Sequence, residues 1–428
     1  MTTNTGKSSR IAKALAILLI TLCSHIALGQ FELSGNFRPR FEFRDGYQTL
    51  SDPSDKSVAL VTQRTRLNAR FIGKSGIQSY ISFQDLRTWG EFDTNSFESA
   101  TSLYEGWIQF PVLNQFALRL GRQEIEYDDS RMISSNGWRL QARSHDAAML
   151  IYHSPDSSLQ VNVTGAINNE GQVLSRDVYR ANHYKNMFMI WANKKIKDSE
   201  ISLLYLDNGF QLADTSINHF KTVGVYIKQG MGGFTVTGSY YSQFGRDGQN
   251  RDVSSSFLSL TLSAPIGDKF TVSPGFDMLS GTSAGDLLNP AFNGTSTFIP
   301  LFARRHRHFG EHDFFYAGGF DIVPGLTDIF IKTSYKFSES VSAKLNGHYF
   351  QTAKKFLDES GGIVDDKYLG IEFDAGLDYK YSDDLKFKFG YTHFLPTTSL
   401  EILKGGDSDE IAQFGYVQIT YSPTFLEK

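Results

Sequence analysis

Leu369-Gly370-Ile371-Glu372-Phe373-Asp374-Ala375-Gly376-Leu377-Asp378-Tyr379-Lys380-Tyr381 alternates from end to end. Leu369, Ile371, Phe373, Ala375, Leu377, Tyr379 and Tyr381 share one parity, while Glu372, Asp374, Asp378 and Lys380 share the other. A period of two sends successive side chains to opposite faces of an extended chain, so one face meets an apolar medium and the other a polar one. The following segment repeats the pattern, with Leu385, Phe387, Phe389 and Tyr391 opposing Lys386 and Lys388. Near the N-terminus Phe37, Pro39, Phe41 and Phe43 oppose Arg38, Arg40, Glu42 and Arg44. Val61, Leu67, Ala69 and Phe71 then oppose Arg64, Arg66, Asn68 and Arg70. No helix period emerges after residue 31.

These segments are about ten residues long, the length a tilted strand needs to cross a bilayer. A soluble sandwich also alternates, but its polar face rarely carries three arginines on one strand, and its strands are shorter. The 35 Phe and 20 Tyr, beside 4 Trp, exceed what a soluble core needs and suit a wall facing lipid. One Cys among 428 residues excludes a disulfide scaffold, and the hydrophobic content of 40% excludes a disordered chain. No apolar run after residue 30 approaches the ~20 residues of a membrane helix.

Long connections are expected at residues 45–57, 88–101, 123–137, 169–183, 208–217, 245–252, 281–325, 352–367 and 396–409. Short ones fall near 73–76, 111–114, 153–157, 196–199, 229–232, 265–268, 338–340 and 382–384. Their strict alternation predicts an all-β, transmembrane, antiparallel up-and-down β-barrel of 18 strands, with short turns in the periplasm and long loops outside. Residues 311–321, with Phe314, Phe315, Tyr316 and Phe320, would make a nineteenth strand; the even count assigns them to the long outer loop 281–325, folded against the barrel. A bulge is expected at Pro39, since a closed barrel leaves no free edge for proline. Strands three and five are expected to switch face near Asp85 and Arg122.

Lys7, Arg10 and Lys13 precede the apolar run from Ala14 to Ile20 and the small-residue sequence Ala27-Leu28-Gly29, which reads as a signal peptide over residues 1–29. Bulky Leu22 disfavours lipidation at Cys23. Cleavage before Gln30 leaves a cysteine-free barrel, residues 30–428, with 39 basic against 46 acidic residues, net −7. That balance gives no sign of a nucleic-acid partner. The expected compartment is the bacterial outer membrane.

A barrel of this size leaves an aqueous lumen. Its predicted inward face carries Arg38, Arg40, Arg44, Arg64, Arg66, Arg70, Arg119, Arg139 and Arg143 from strands one, two, five and six, against Glu372, Asp374 and Asp378 from strand sixteen. Arginine stays charged and forks onto carboxylates, so such a wall favours carboxylated anions; the alternative for each residue is a brace paired with nearby acids. His145-Asp146 and His153-Ser154 form no nucleophile motif, because adjacent strand residues point apart, and no catalytic residue is assigned. Arg304-Arg305-His306-Arg307-His308 reads as a solvated basic patch on an outer loop, and Asp128-Asp129 and Asp365-Asp366 as hydrated acids; no metal or cofactor is expected.

Several stretches resemble the alginate export family of outer-membrane barrels. They are Gln63-Arg64-Thr65-Arg66-Leu67-Asn68, Gln84-Asp85-Leu86-Arg87-Thr88-Trp89-Gly90, Gly121-Arg122-Gln123-Glu124 with Tyr127-Asp128-Asp129 and Arg131, and Trp138 through Arg143 to His145-Asp146-Ala147. The resemblance implies a monomeric 18-stranded barrel whose arginine-rich lumen passes an anionic uronate polysaccharide. It also makes Arg64, Arg66, Arg122, Arg139 and Arg143 the leading pore candidates. The run from Glu124 to Met132 departs from the tryptophan-rich acidic stretch of the alginate exporters and leaves the uronate open. Three functions are carried forward: a conduit for an anionic polysaccharide or its oligomers, a general small-solute porin, and a non-conducting barrel acting as an adhesin or embedded enzyme.

Overall fold

The computed structural model describes residues 29–94, 100–172, 174–175, 178–179, 183–316 and 322–428. Apart from Gly29, the expected signal peptide lies outside these residues, as do Cys23 and Phe320.

Eighteen strands form one closed antiparallel sheet. The first nine are β1 (Gln30–Asp45), β2 (Val58–Ile72), β3 (Gln78–Thr88), β4 (Thr101–Leu113), β5 (Phe116–Gln123), β6 (His145–His153), β7 (Leu159–Ile167), β8 (Asn186–Ile196) and β9 (Ser199–Gln211). The second nine are β10 (Ile217–Met231), β11 (Phe234–Arg246), β12 (Asp252–Ile266), β13 (Phe270–Leu279), β14 (Leu326–Lys336), β15 (Val341–Thr352), β16 (Tyr368–Lys380), β17 (Leu385–Pro396) and β18 (Ala412–Tyr421). Each pairs with its sequence neighbours, and β18 closes on β1 with Phe41 opposite Val417. Closure satisfies every edge, the condition for spanning lipid with strands.

The alternation behaves as the sequence requires. Phe37, Phe41, Leu67, Phe71, Ile81 and Phe83 are exposed on the outer face, while Arg38, Arg40, Arg64, Ser82 and Gln84 between them are buried inside. Three expectations are corrected. Pro39 carries no bulge: Phe37 faces Tyr421 and Arg40 faces Gln418 in one register, so the proline removes a ladder bond without inserting a residue. The register shift lies instead at Leu33/Ser34, where Thr424–Glu427 pairs with β1 just after Pro423. Nor do β3 and β5 switch face, since β3 pairs with β2, and β5 with β6, in unbroken register. Asp85 and Arg122 are polar because they sit near the long-loop ends of the outer face.

The third correction concerns strand six, which begins at His145, so the third long connection spans 124–144. This loop and the seventh, residues 280–325, fold into the barrel and meet there. Ile133 bridges to Phe302, and Arg304 N–H donates to the Ser130 carbonyl at 2.9 Å. Ile125, Met132 and Ile133 from the third loop join Phe298, Phe309, Phe314, Phe315 and Tyr316 from the seventh in one buried cluster. The wall contributes Met189, Leu206, Phe257, Leu279, Leu326, Phe350 and Phe394 to it. Burying one Phe side chain is worth about 1.5–3 kcal/mol, so these aromatics contribute much of what holds the loops against the wall. Residues 311–316 form no strand and sit in this core, as the even count requires.

Candidate functional site

The two loops pack against the later strands, and the inward-facing arginines of the wall lie on β1, β2 and β5. Register orders its arginines by depth from the long-loop end: Arg44, then Arg40, then Arg38 opposite Arg64, then Arg66 opposite Asn36, then Arg70 opposite Glu32. Arg119 lies deepest, one row beyond Arg70, through Gln78 and Gln109.

What holds these guanidiniums decides whether their charge survives. Arg38 donates to the carbonyls of Gly137, Trp138 and Arg139, all in the third loop. Arg40 donates to the Trp138 carbonyl at 2.9 Å and lies 3.8 Å from the centre of the Trp138 ring, which also stacks on His306 at 3.6 Å. Arg66 lies 3.4 Å over Tyr104 and donates to Gln84 at 3.1 Å. Arg143 donates to the carbonyls of Ser134 and Phe302. Carbonyl oxygens and ring faces orient a guanidinium without cancelling its charge. Carboxylates intervene sparingly. Glu42 binds both Arg40 and Arg44, and Glu124 stands 3.7 Å from Arg66. Arg38, Arg64 and Arg143 have no carboxylate partner among the described residues. Arg64 Nε and Nη1 and Arg66 Nη2 are buried donors without a protein acceptor. Burial, followed by the nearby charges of Arg305 and Arg139, lowers the Arg143 guanidinium to about 10.

The third loop reaches this arrangement through a bent path, with Asp128, Ser130, Asn136 and Ala142 all at positive φ, between 49° and 70°. Side chains seldom adopt that region, and their clustering marks a loop held by its surroundings. One such tie is Arg131, bound to Asp129 and to buried Asp277 of β13. Burial alone would lower its guanidinium, but the two carboxylates outweigh that and hold it above its ordinary value. Between the loops and β1 a cavity of about 420 Å³ opens, lined by Arg40, Arg44, Arg139, Arg143, Arg305 and Asp313 among others.

Several sequence-assigned residues are placed differently. Arg122 is on the outer face with Leu120, paired to Asp146 at 2.9 Å, and does not face the lumen. Arg139 and Arg143 belong to the inward loop, not to strand six. Glu372 and Asp374 are sealed under the seventh loop: Glu372 accepts the His312 N–H at 2.8 Å, and Asp374 lies 3.6 Å from His348. Gly310, at φ +82°, permits that contact, because a Cβ there would lie 2.2 Å from the Glu372 carboxylate. Asp378 is half exposed and pairs with Lys388 at 3.1 Å. The run 304–308 is no solvated patch; His306 and His308 are buried, and only Arg307 is exposed. Sequence reasoning missed Trp138, Arg305 and Tyr104 beside the arginines, and Arg131 as the tie of the third loop to β13. The signal was present in the apolar content of both loops, which bulk water would not tolerate.

This geometry is a closed barrel with an apolar outer face and arginines on the inner face of β1, β2 and β5. Residues 30–410 match the alginate export family. The chain belongs to that family. It is an outer-membrane channel, localised to the outer membrane. Among solved structures, Pseudomonas aeruginosa OccK9 (OpdG) is similar at TM-score 0.63 and 13% identity, over 92% of this chain and 98% of that one. Acinetobacter baumannii OccAB1 gives 0.62 and 12%, over 92% and 97%. The Pseudomonas aeruginosa outer membrane protein opdK gives 0.61 and 11%, over 92% and 99%. At such identities the likeness concerns the fold. Comparison with curated proteins returns no match.

Proposed function

We propose that the channel passes an anionic polysaccharide of the uronate class, or its oligomers, along the arginine strip of β1–β5 and the third loop. The observation that carries this reading is that Arg38, Arg66 and Arg143 are held mainly by carbonyls, amides and rings, with donors of Arg64 and Arg66 left unfilled. An internal brace would end on carboxylates. A one-sided strip beside a packed apolar core suits an extended chain better than a wide, featureless pore. Family membership supports the same substrate class. Arg38, Arg40, Arg44, Arg64, Arg66, Arg70, Arg119, Arg139 and Arg143 are the proposed lining.

Single-channel recording tests the proposal. Wild type should prefer anions and be blocked by uronic-acid oligomers. Arg64→Ala with Arg66→Ala should lower the anion-to-cation permeability ratio severalfold and weaken the block, because lumen substitutions tune selectivity without preventing insertion. Unchanged selectivity in an inserted double variant would make these residues braces and favour a general porin.

A further inference from the structure

At the short-turn end of the strip lies a group of rings that charge selection does not require. Arg70 of β2, Tyr80 of β3 and Trp107 of β4 stand opposite one another in register on the inward face; the adjacent row holds Gln78, Gln109 and Arg119. Tyr80 and Trp107 stack with centroids 5.6 Å apart and planes at 30°. Arg119 lies 4.2 Å from the Trp107 ring centre. Both arginines are steadied by neutral amides: Arg70 donates to Gln78 at 3.0 Å and Arg119 to Gln109 at 2.9 Å. Opposite Trp107 on β5 stands Gly121, at φ +121°, where a Cβ would fall 2.3 Å from the Gly106 carbonyl oxygen. No side chain therefore rises beside the indole from that position.

The aromatic girdles of membrane barrels face lipid, so they do not account for rings turned inward. Nor does core packing, since Tyr80, Trp107, Gln78 and Gln109 are only half-buried and Arg70 is exposed. Half-wet aromatic faces flanked by amides and guanidiniums match the chemistry of an acidic sugar, which offers apolar C–H faces, hydroxyls and a carboxylate on one ring.

We propose that this patch is a sugar-binding station that takes one acidic pyranose residue, its ring against Tyr80 and Trp107 and its carboxylate on Arg70 or Arg119. The station rests on the reading of the lumen as a conduit for an acidic saccharide and adds to it the point where the chain is engaged or released at this mouth. Weak sites in series let a polymer advance without being trapped.

The test is block of single channels in planar bilayers by a uronic-acid trisaccharide, added to one side at a time, with a neutral glucose trisaccharide as comparison. Trp107→Leu with Tyr80→Leu should shorten uronate block from the short-turn side roughly fivefold, the scale of a lost aromatic contact. Open-channel conductance and anion selectivity should remain those of wild type, and Trp107→Phe should retain most of the block. Wild-type block in the inserted double variant would overturn the station and leave the conduit standing. Absence of block in wild type from either side would overturn both. Should the leucine variants not insert, Arg70→Gln with Arg119→Gln decides: uronate block should shorten while the weaker neutral-sugar block stays, and an unchanged uronate block would overturn the station.

Discussion

Asp277 and Asp128 show how single side chains hold the interior together. Asp277 is fully buried and binds Arg131 of the third loop. Removing one partner of a buried pair strands the other, so Asp277→Ala should destabilise the barrel by about 3 kcal/mol, softened by the Asp129 contact that Arg131 keeps. The readout is the temperature at which the fast-migrating unboiled form disappears on a gel. Asp128 accepts the Trp191 indole N–H at 3.1 Å, and burial raises its carboxyl to about 6. Since the folded value exceeds the unfolded one, the folded state binds the extra proton, and stability rises as pH falls through about 6 towards the unfolded value. Tryptophan fluorescence should titrate over the same range in wild type and stay flat in Asp128→Asn. Residue roles were legible in sequence where a strand's parity fixed the face, as for Arg38, Arg40 and Arg64. They were illegible at Arg122, Glu372 and Asp374, because parity shows which face a side chain takes but not whether that face is lipid rim, open lumen or a seam under a loop.

For the strands and their connections, alternation and turn chemistry settle most boundaries, and the third loop shows the limit. Trp138 through Arg143 mixes polar and apolar residues as a strand does, yet the segment is bound through its carbonyls to Arg38 and Arg40 rather than to a neighbouring strand. A period of two cannot distinguish backbone that pairs in a ladder from backbone that pairs with side chains. The connections 212–216 and 247–251 are as short as the turn 73–77 at the other end, so sidedness rests on the remaining long loops. Single cysteines test it in a barrel that carries none from residue 30 onward. Replacements at Ser51, Ser216 and Ser408 should react with an impermeant thiol reagent on whole cells, and those at Ser75, Ser157 and Ser382 should not. The opposite pattern would invert the barrel.

As a whole, the sequence is net negative while the proposed lining is arginine-rich, so under that proposal selectivity is local and open to screening. Raising salt from 0.1 M to 1 M contracts the screening length from ~10 to ~3 Å, and anion preference should fall steeply while the unboiled gel mobility is unchanged. Persistence of the preference at high salt would mean that sterics, not charge, selects the solute. Folding the two longest loops inward has a further outcome at the cell surface. Loops are where antibodies and bacteriophages usually gain purchase on an outer-membrane protein, and here the largest are packed out of sight, with Phe309, Phe314 and Phe315 at most 2% exposed. What such an agent meets, among the described residues, is the other connections, such as the exposed run 52–57, the connection 353–367 and the short helix Thr398–Lys404. The fold that fills the interior thereby takes most of its two longest loops out of that contact.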